Sequence, residues 1–313
     1  MRYVVTGGFG FIGSNLVRHL LDLGHEVLAI DNGYMGKREN LPAHHDRLQV
    51  EFCSDLKIQG RWEQSESKCN GTAPDGVFHL AAVSSAPLFA GDPALAMANN
   101  ADGFNTVAQF CCQTSTPLVF ASTSSMMRTG KPEPQTFYEL SKYHNEKAAE
   151  VFHRELGLQA TGLRFFSVYG PREEHKGPYA NLATQFIKAV EKGEEVVVYG
   201  DGSQTRDFVF VHDLVRALVV AMEERHADSE VDGGIRFYSV GTGNAYSLNR
   251  LIFEIETVTG KLAKVVYVPN PIRNYVLHTL AEPGEFIKGW TPAVSLVQGL
   301  RETKKFLEVG EHG

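Results

Sequence analysis

The sequence predicts an α/β protein, a doubly wound parallel sheet followed by a smaller C-terminal α/β lobe. Three observations predict it. Short β-type runs alternate with helical patterns through the first half of the chain. A glycine-rich turn joins the first such run to the first helical pattern. The regular alternation then loosens after Tyr169-Gly170-Pro171, where short helices mix with isolated strands.

Arg2 to Thr6 reads as a buried strand, and Phe11 to Leu23 as a helix carrying Ile12, Leu16, Leu20 and Leu23 on one stripe. Glu26 to Ile30, Leu48 to Cys53, Gly76 to Ala81, Leu118 to Ala121 and Ala160 to Phe165 read as further strands. Pro93 to Gln113 and Tyr138 to Leu156 read as the long helices between them. Beyond them, helices are expected at about Asn181 to Lys192, Val211 to Glu224 and Leu248 to Thr259, with a strand at Glu195 to Tyr199. The expected division gives residues 1–170 and about 207–233 to the first domain. About 171–206 and 234–313 form the second lobe, the chain returning once to the first domain.

Composition excludes several functions. The 43% hydrophobic and 21% charged shares are those of a globular protein. Net charge is −7 and no Lys/Arg block exceeds a pair, which argues against nucleic acid or an anionic membrane as partner. The opening MRYVVTGG lacks the apolar stretch of a signal peptide. No run approaches the roughly 18 apolar residues of a membrane span. Cys53, Cys69, Cys111 and Cys112 form no CxxC pair, and adjacent cysteines make a strained disulfide. Reduced packing cysteines in a cytoplasmic protein are therefore expected, with no metal site.

Thr6-Gly7-Gly8-Phe9-Gly10-Phe11-Ile12-Gly13 lies between the first strand and the first helix. It reads as Gly8-x-Gly10-x-x-Gly13 or as Gly7-x-x-Gly10-x-x-Gly13. Glycines suit a turn with φ > 0, a backbone that touches a pyrophosphate, and close packing of helix on sheet. The helix N-terminus offers N–H groups and a partial positive charge to that anion. Asp31 follows the second strand, 18 residues beyond Gly13. A carboxylate there accepts from ribose hydroxyls and repels a 2′-phosphate, which favours NAD over NADP. The competing reading makes Asp31 a turn residue beside Asn32-Gly33. Asp55-Leu56 is placed either to meet the adenine or simply to turn the chain.

Tyr138 and Lys142 are four residues apart on a predicted helix, one turn apart on one face. A free phenol titrates near 10 and is a weak base at neutral pH. A neighbouring ammonium and a positive nicotinamide are expected to draw it towards neutrality. Alone, the pair could be an exposed helix ornament. It is preceded, however, by Phe120-Ala121-Ser122-Thr123-Ser124-Ser125 at the carboxyl end of a strand, where such sheets bind ligands. A hydroxyl there can share a proton in transit, although a plain Ser/Thr-rich loop would look the same.

These residues together resemble the extended short-chain dehydrogenase/reductase superfamily, in its NAD-dependent epimerase/dehydratase branch. The likeness extends through His79-Leu80-Ala81-Ala82, Asp92-Pro93, Asn100-Ala101-Asp102-Gly103, Arg164-Phe165-Phe166-Ser167-Val168-Tyr169-Gly170-Pro171-Arg172 and Gly200-Asp201-Gly202-Ser203-Gln204-Thr205-Arg206-Asp207-Phe208. It implies a Rossmann sheet, tightly held NAD, a substrate-binding C-terminal lobe and a homodimer formed through the two long helices. It implies Thr123, Tyr138 and Lys142 as catalytic residues. Gly7, Gly10, Phe11, Ile12, Gly13, Asp31, Asn32, Asp55, Leu56, Leu80, Ala81, Ala82, Asn100 and Phe165 would meet the cofactor, with Tyr138 and Lys142. Ser84, Ser124, Ser167 and Arg206 would meet a nucleotide-diphosphate sugar, with Thr123. Asn181 and Arg273 are candidates for the same pocket or, equally, surface polar residues.

Within this branch, 4,6-dehydratases and decarboxylases carry an acidic residue just after the Thr123 position, where this chain has Ser124-Ser125. The sequence is thus most similar to UDP-glucose 4-epimerases, which work through a transient 4-keto sugar. Arg172-Glu173-Glu174-His175-Lys176-Gly177 is similar to ADP-heptose 6-epimerases. The alternatives are dehydration or reduction of a keto-sugar, and a non-enzymatic NAD-binding protein. Met126-Met127-Arg128 replaces the usual Val-Tyr-Gly, and Ser167 the usual Asn.

Overall fold

The computed structural model describes residues 1–53, 73–128, 131–227, 234–272 and 274–310. In chain order the first half holds β1 (Arg2–Thr6), α1 (Phe11–Asp22), β2 (Glu26–Asp31), β3 (Leu48–Phe52), β4 (Gly76–His79), α2 (Pro93–Thr114), β5 (Leu118–Thr123), β6 (Met127–Arg128), β7 (Lys131–Pro132), α3 (Phe137–Leu156) and β8 (Ala160–Phe165). The second half holds β9 (Ser167–Tyr169), α4 (Leu182–Lys192), β10 (Glu195–Tyr199), β11 (Thr205–Phe210), α5 (Val211–Ala227), β12 (Ile235–Val240), β13 (Ala245–Ser247), α6 (Leu248–Thr259), β14 (Lys264–Val268) and α7 (Leu296–Gly310). The chain divides into two compact units, Met1–Arg164 with Val215–Tyr238, and Phe165–Leu214 with Ser239–Gly313.

The first unit is built on a seven-stranded sheet in the order β3-β2-β1-β4-β5-β8-β12. β1 pairs in parallel with both β2 and β4, and β2–β3 and β4–β5 are parallel too. The order reverses at β1, where the chain steps from β3 to β4 on its other side, and ligands bind such sheets beyond the strand ends at that point. Strands buried on both faces need continuous apolar runs, and Val4, Leu28, Val77, Leu118 and Phe120 pack into one cluster with Phe104 and Val107 of α2. The fold class is thus the expected one.

Local chemistry sets the helix ends. Asp92 accepts the Leu95 N–H at 2.9 Å and starts α2 with Pro93 behind it. Thr136 caps α3 by accepting the Glu139 N–H, while Glu139 reaches back to the Gln135 N–H at 2.7 Å. The helix therefore opens at Phe137, one residue before the expected start. β4 stops at His79, two residues short of the expected Ala81. Its continuation is drawn off by β1: Leu80 N–H donates to the Thr6 carbonyl and Ala81 N–H to the Thr6 hydroxyl.

In the second unit β11 pairs in parallel with β9 and antiparallel with β13, and β10 pairs in parallel with β14. Tyr169, Phe186, Val198, Phe210, Leu251 and Leu300 lie in its apolar core. Three buried carboxylates organise the loops around that core. Asp207 accepts from Thr242 N–H, Thr242 hydroxyl, Gly243 N–H and Ala281 N–H. Asp213 accepts the N–H groups of Ala293 and Val294. Glu173 accepts from Asn181 N–H, the Thr184 hydroxyl and Lys176.

Among the described residues, no helix is long and apolar enough to cross a membrane, and Cys53, Cys111 and Cys112 are unbridged.

Candidate active site

The glycine loop is shaped by its own packing. Gly7 has φ +71°, and a Cβ there would lie 2.7 Å from the Ala81 nitrogen. A Cβ on Gly13 would lie 2.0 Å from the Gly7 carbonyl oxygen, so the first turn of α1 can approach the loop only without a side chain. The left-handed turn therefore belongs to Gly7, and the spacing Gly7-x-x-Gly10-x-x-Gly13 describes the loop. Gly10 occupies the N-cap of α1 with no side-chain cap, and no acidic residue sits in the first turn. Phe11 is buried and Ile12 half-buried on that turn.

Asp31 ends β2 with both carboxylate oxygens engaged. One accepts the Phe9 N–H at 2.9 Å and the other the Gly33 N–H at 2.8 Å. Burial raises its pKa against those hydrogen bonds. The turn role is thus present, and Asp31 is an acceptor-only group at the end of β2, bonded into the glycine loop. Asn32 accepts the Tyr34 N–H and is exposed. An uncapped helix start, a glycine cradle with no space for a Cβ and an acceptor-only group bonded into the same loop fit a dinucleotide such as NAD. Asp55, Leu56 and Arg273 lie outside the described residues.

The hydroxyl and the phenol lie at the end of β5 and the start of α3, and the Lys142 amine, one turn along α3, is held against β5. The Thr123 hydroxyl is close enough to the Tyr138 phenol to pull its pKa down, and the Tyr138 ring packs edge-on against Phe89 with centroids 6.0 Å apart. Thr123 Oγ1 lies 2.9 Å from the Ser125 hydroxyl and accepts the Ser125 N–H at 3.2 Å. Lys142 is 4% exposed and its ammonium donates to the Ala121 carbonyl at 3.1 Å. Burial lowers its pKa to about 8. The expected depression of the Tyr138 phenol is not found in the protein alone. Desolvation raises its pKa, while the Thr123 hydrogen bond opposes that rise.

Asn100, 1% exposed, links three segments of this unit. Its carbonyl accepts the Val83 N–H at 2.7 Å, and its amide donates to the Val83 carbonyl and to the Ser141 hydroxyl. Ser141 in turn donates to the Tyr138 carbonyl. The segment after His79 is thereby clamped to the first turn of α3, with Leu80, Ala81 and Ala82 half-buried and Ser84 exposed. Ser124 is buried.

In the second unit, Arg206 donates from Nη1 to the carbonyls of Thr205 and Leu277, with its guanidinium 4.9 Å from the Tyr275 ring centre. Those bonds use one nitrogen of a fork suited to phosphate oxygens. Asn181 does not open α4 as a helical residue but caps it, accepting the Ala183 N–H at 3.0 Å. Ser167 and Phe165 are half-buried.

Several organising residues escaped the sequence reading. Glu146, 2% exposed, accepts from the Ser122 hydroxyl at 2.7 Å and takes a two-pronged bond from Arg164. It stands four residues beyond Lys142 on the same helix face, and that spacing was the available signal. His79 is buried against the Thr6 hydroxyl at 2.9 Å, and burial lowers its pKa to about 3. Among the described residues, no cluster of His, Cys, Asp or Glu could hold a metal ion.

The sequence model of the NAD dependent epimerase/dehydratase family matches residues 3–257. The UDP-N-acetyl-alpha-D-glucosaminuronate decarboxylase of Bacillus cytotoxicus is 30% identical, over 96% of this chain and 96% of its own. The UDP-glucose 4-epimerase of Thermotoga maritima, solved with UDP-glucose, is 31% identical with a TM-score of 0.88, covering 99% of this chain and 100% of that one. The UDP-glucose 4-epimerase of Thermus thermophilus, solved with NAD, is 30% identical with a TM-score of 0.84, covering 98% and 99%.

Proposed function

We infer that this chain, which belongs to the NAD dependent epimerase/dehydratase family, is a nucleotide-sugar epimerase, specifically a 4-epimerase acting on a UDP-sugar. One observation carries the reading. The group that follows Thr123 and bonds to it is a hydroxyl, that of Ser125, where elimination or decarboxylation would call for a carboxyl group. Similarity to both a decarboxylase and epimerases at about equal identity does not separate the reactions. The hydroxyl beside Thr123 is what favours epimerisation in this reading.

NAD, when bound, supplies a reversible hydride acceptor and a positive ring. The chain's own residues manage the proton. Tyr138 is the base for the sugar hydroxyl and later returns the proton to the ketone oxygen. Thr123 donates to the phenol oxygen and favours its ionised form. Lys142 adds a buried positive charge one turn along α3, held by the Ala121 carbonyl. Gly7, Gly10 and Gly13 with Asp31 are assigned to the dinucleotide, and Arg206 to the sugar's diphosphate.

The experiment is to incubate the protein with UDP-, ADP-, GDP- and dTDP-sugars and follow products by NMR and mass spectrometry. A product of unchanged mass with one inverted carbon supports the reading, and a UDP-sugar is expected to react fastest. Loss of water or of carbon dioxide, or gain of two hydrogens, would overturn it. A homodimer is also proposed, and light scattering at micromolar concentration giving a monomer would reject it.

A further inference from the structure

We propose that Ser125 is a positioning residue for the proton transfer, its hydroxyl, 2.9 Å from Oγ1 of Thr123, directing the single Thr123 proton at the Tyr138 oxygen. The proposal rests on the reading of Tyr138 as base.

A threonine hydroxyl has one proton and about two acceptor lone pairs. In this site Thr123 meets three groups. It accepts the Ser125 N–H at 3.2 Å, a bond that caps the short 3-10 turn Ser124–Met126. It shares a hydrogen bond with the Ser125 hydroxyl, where either oxygen could be the donor. Its third neighbour is the phenol of Tyr138, whose ionisation it favours. The three hydroxyls therefore form a row, Ser125–Thr123–Tyr138, whose direction can reverse.

The ionised phenol decides that direction. A phenolate only accepts, so Thr123 must turn its proton towards Tyr138. The Thr123 oxygen then has both acceptor sites filled only if Ser125 donates its hydroxyl proton back. That donation polarises the Thr123 O–H and strengthens the bond it makes to the anion. With Ser125 absent, the Thr123 oxygen keeps only the backbone N–H, and the phenolate loses part of its stabilisation. The turn geometry holds the two oxygens together, since Thr123 and Ser125 are linked through both side chain and backbone.

The test compares wild type with Ser125→Ala and Ser125→Thr, each also carrying Tyr138→Phe as a blank. The first readout is the near-ultraviolet absorbance of phenolate during an alkaline titration, which needs no sugar. Ser125→Ala should raise the Tyr138 midpoint by about half a unit to one unit, the size of one lost hydrogen bond, and Ser125→Thr should restore it. The second readout is the pH profile on the sugar turned over by wild type. Ser125→Ala should lower kcat by about threefold to tenfold and move the limb assigned to Tyr138 in the same direction, with KM unchanged. An unmoved Tyr138 midpoint overturns the proposal. So does a raised KM with unchanged kcat and limb, which would make Ser125 a sugar contact. A shifted midpoint in a protein that epimerises no sugar would sink the functional reading and leave the hydroxyl row standing.

Discussion

The two units bury ionisable groups in opposite ways. In the first unit, apart from Glu139 at the start of α3 and Glu146 paired with Arg164, the buried groups beside the candidate chemistry are basic and rest on neutral partners: Lys142 on the Ala121 carbonyl, His79 on the Thr6 hydroxyl. In the second they are acidic, and Asp207 and Asp213 are met by converging backbone N–H groups. Without a counter-charge, burial disfavours the charged state and moves the titration, as it does for Lys142 to about 8 and His79 to about 3. A carboxylate surrounded by donors fixes loops in place instead. One arrangement makes groups responsive; the other makes backbone rigid.

The sharpest way to break that contrast is Tyr138→Phe. It should cut kcat by at least about a hundredfold with the thermal midpoint unchanged, as steady-state kinetics and circular dichroism would show. Near-wild-type turnover would remove chemistry from the first unit. Asp207→Ala should act in the reverse sense. It strands four donors and should cost about 3–4 kcal/mol in urea unfolding, whereas a loss below about 1 kcal/mol would deny the carboxylate its organising role.

Lys142→Met separates activity from stability at one residue. Turnover should fall at least about tenfold without loss of unfolding free energy at pH 7. The sign follows from the proton count. The unfolded lysine holds its proton up to 10.5, the folded one only to about 8, so the unfolded state binds more protons between those values. Wild-type stability should rise across that window relative to the variant, by up to roughly 3 kcal/mol. Parallel curves would show that the buried amine titrates normally. His79→Gln probes the acid side and the smallest effect. The folded imidazole stays neutral down to about 3 while the unfolded one protonates below 6.5. Wild type should therefore lose about 2 kcal/mol more than the variant between pH 7 and pH 5, measurable by denaturant titration at each pH.

What the sequence disclosed, and what it hid, follows the range of the interactions. Strands such as Arg2–Thr6 and Glu26–Asp31 were legible because burial on both faces leaves an unbroken apolar run, Tyr3 to Val5 in one and Val27 to Ile30 in the other. The glycine loop was legible because no side chain fits the contacts of Gly7 and Gly13. Element ends were less so: Asn181 reads as the first residue of a helix until its side chain is seen capping Ala183. The site was readable as residue types in order, Thr123, Tyr138 and Lys142, but not as electrostatics. The direction of the Tyr138 shift depends on how much protein surrounds the phenol, which spacing along a helix cannot report. The pairing of Glu146 with Arg164 stayed hidden because it depends on how α3 lies against the sheet, not on neighbours in the chain.

Trp290 is 3% exposed, and its indole N–H donates to the carbonyl of Asp213 at 3.0 Å. The chain has two tryptophans, the other being Trp62. A Trp62→Phe protein would then carry a single tryptophan, excitable at wavelengths where tyrosine does not absorb and bonded to the residue whose carboxylate gathers Ala293 and Val294. Its emission would redden as water reaches the indole. The melting of the second unit could be timed optically and set against the loss of helix signal from the whole chain.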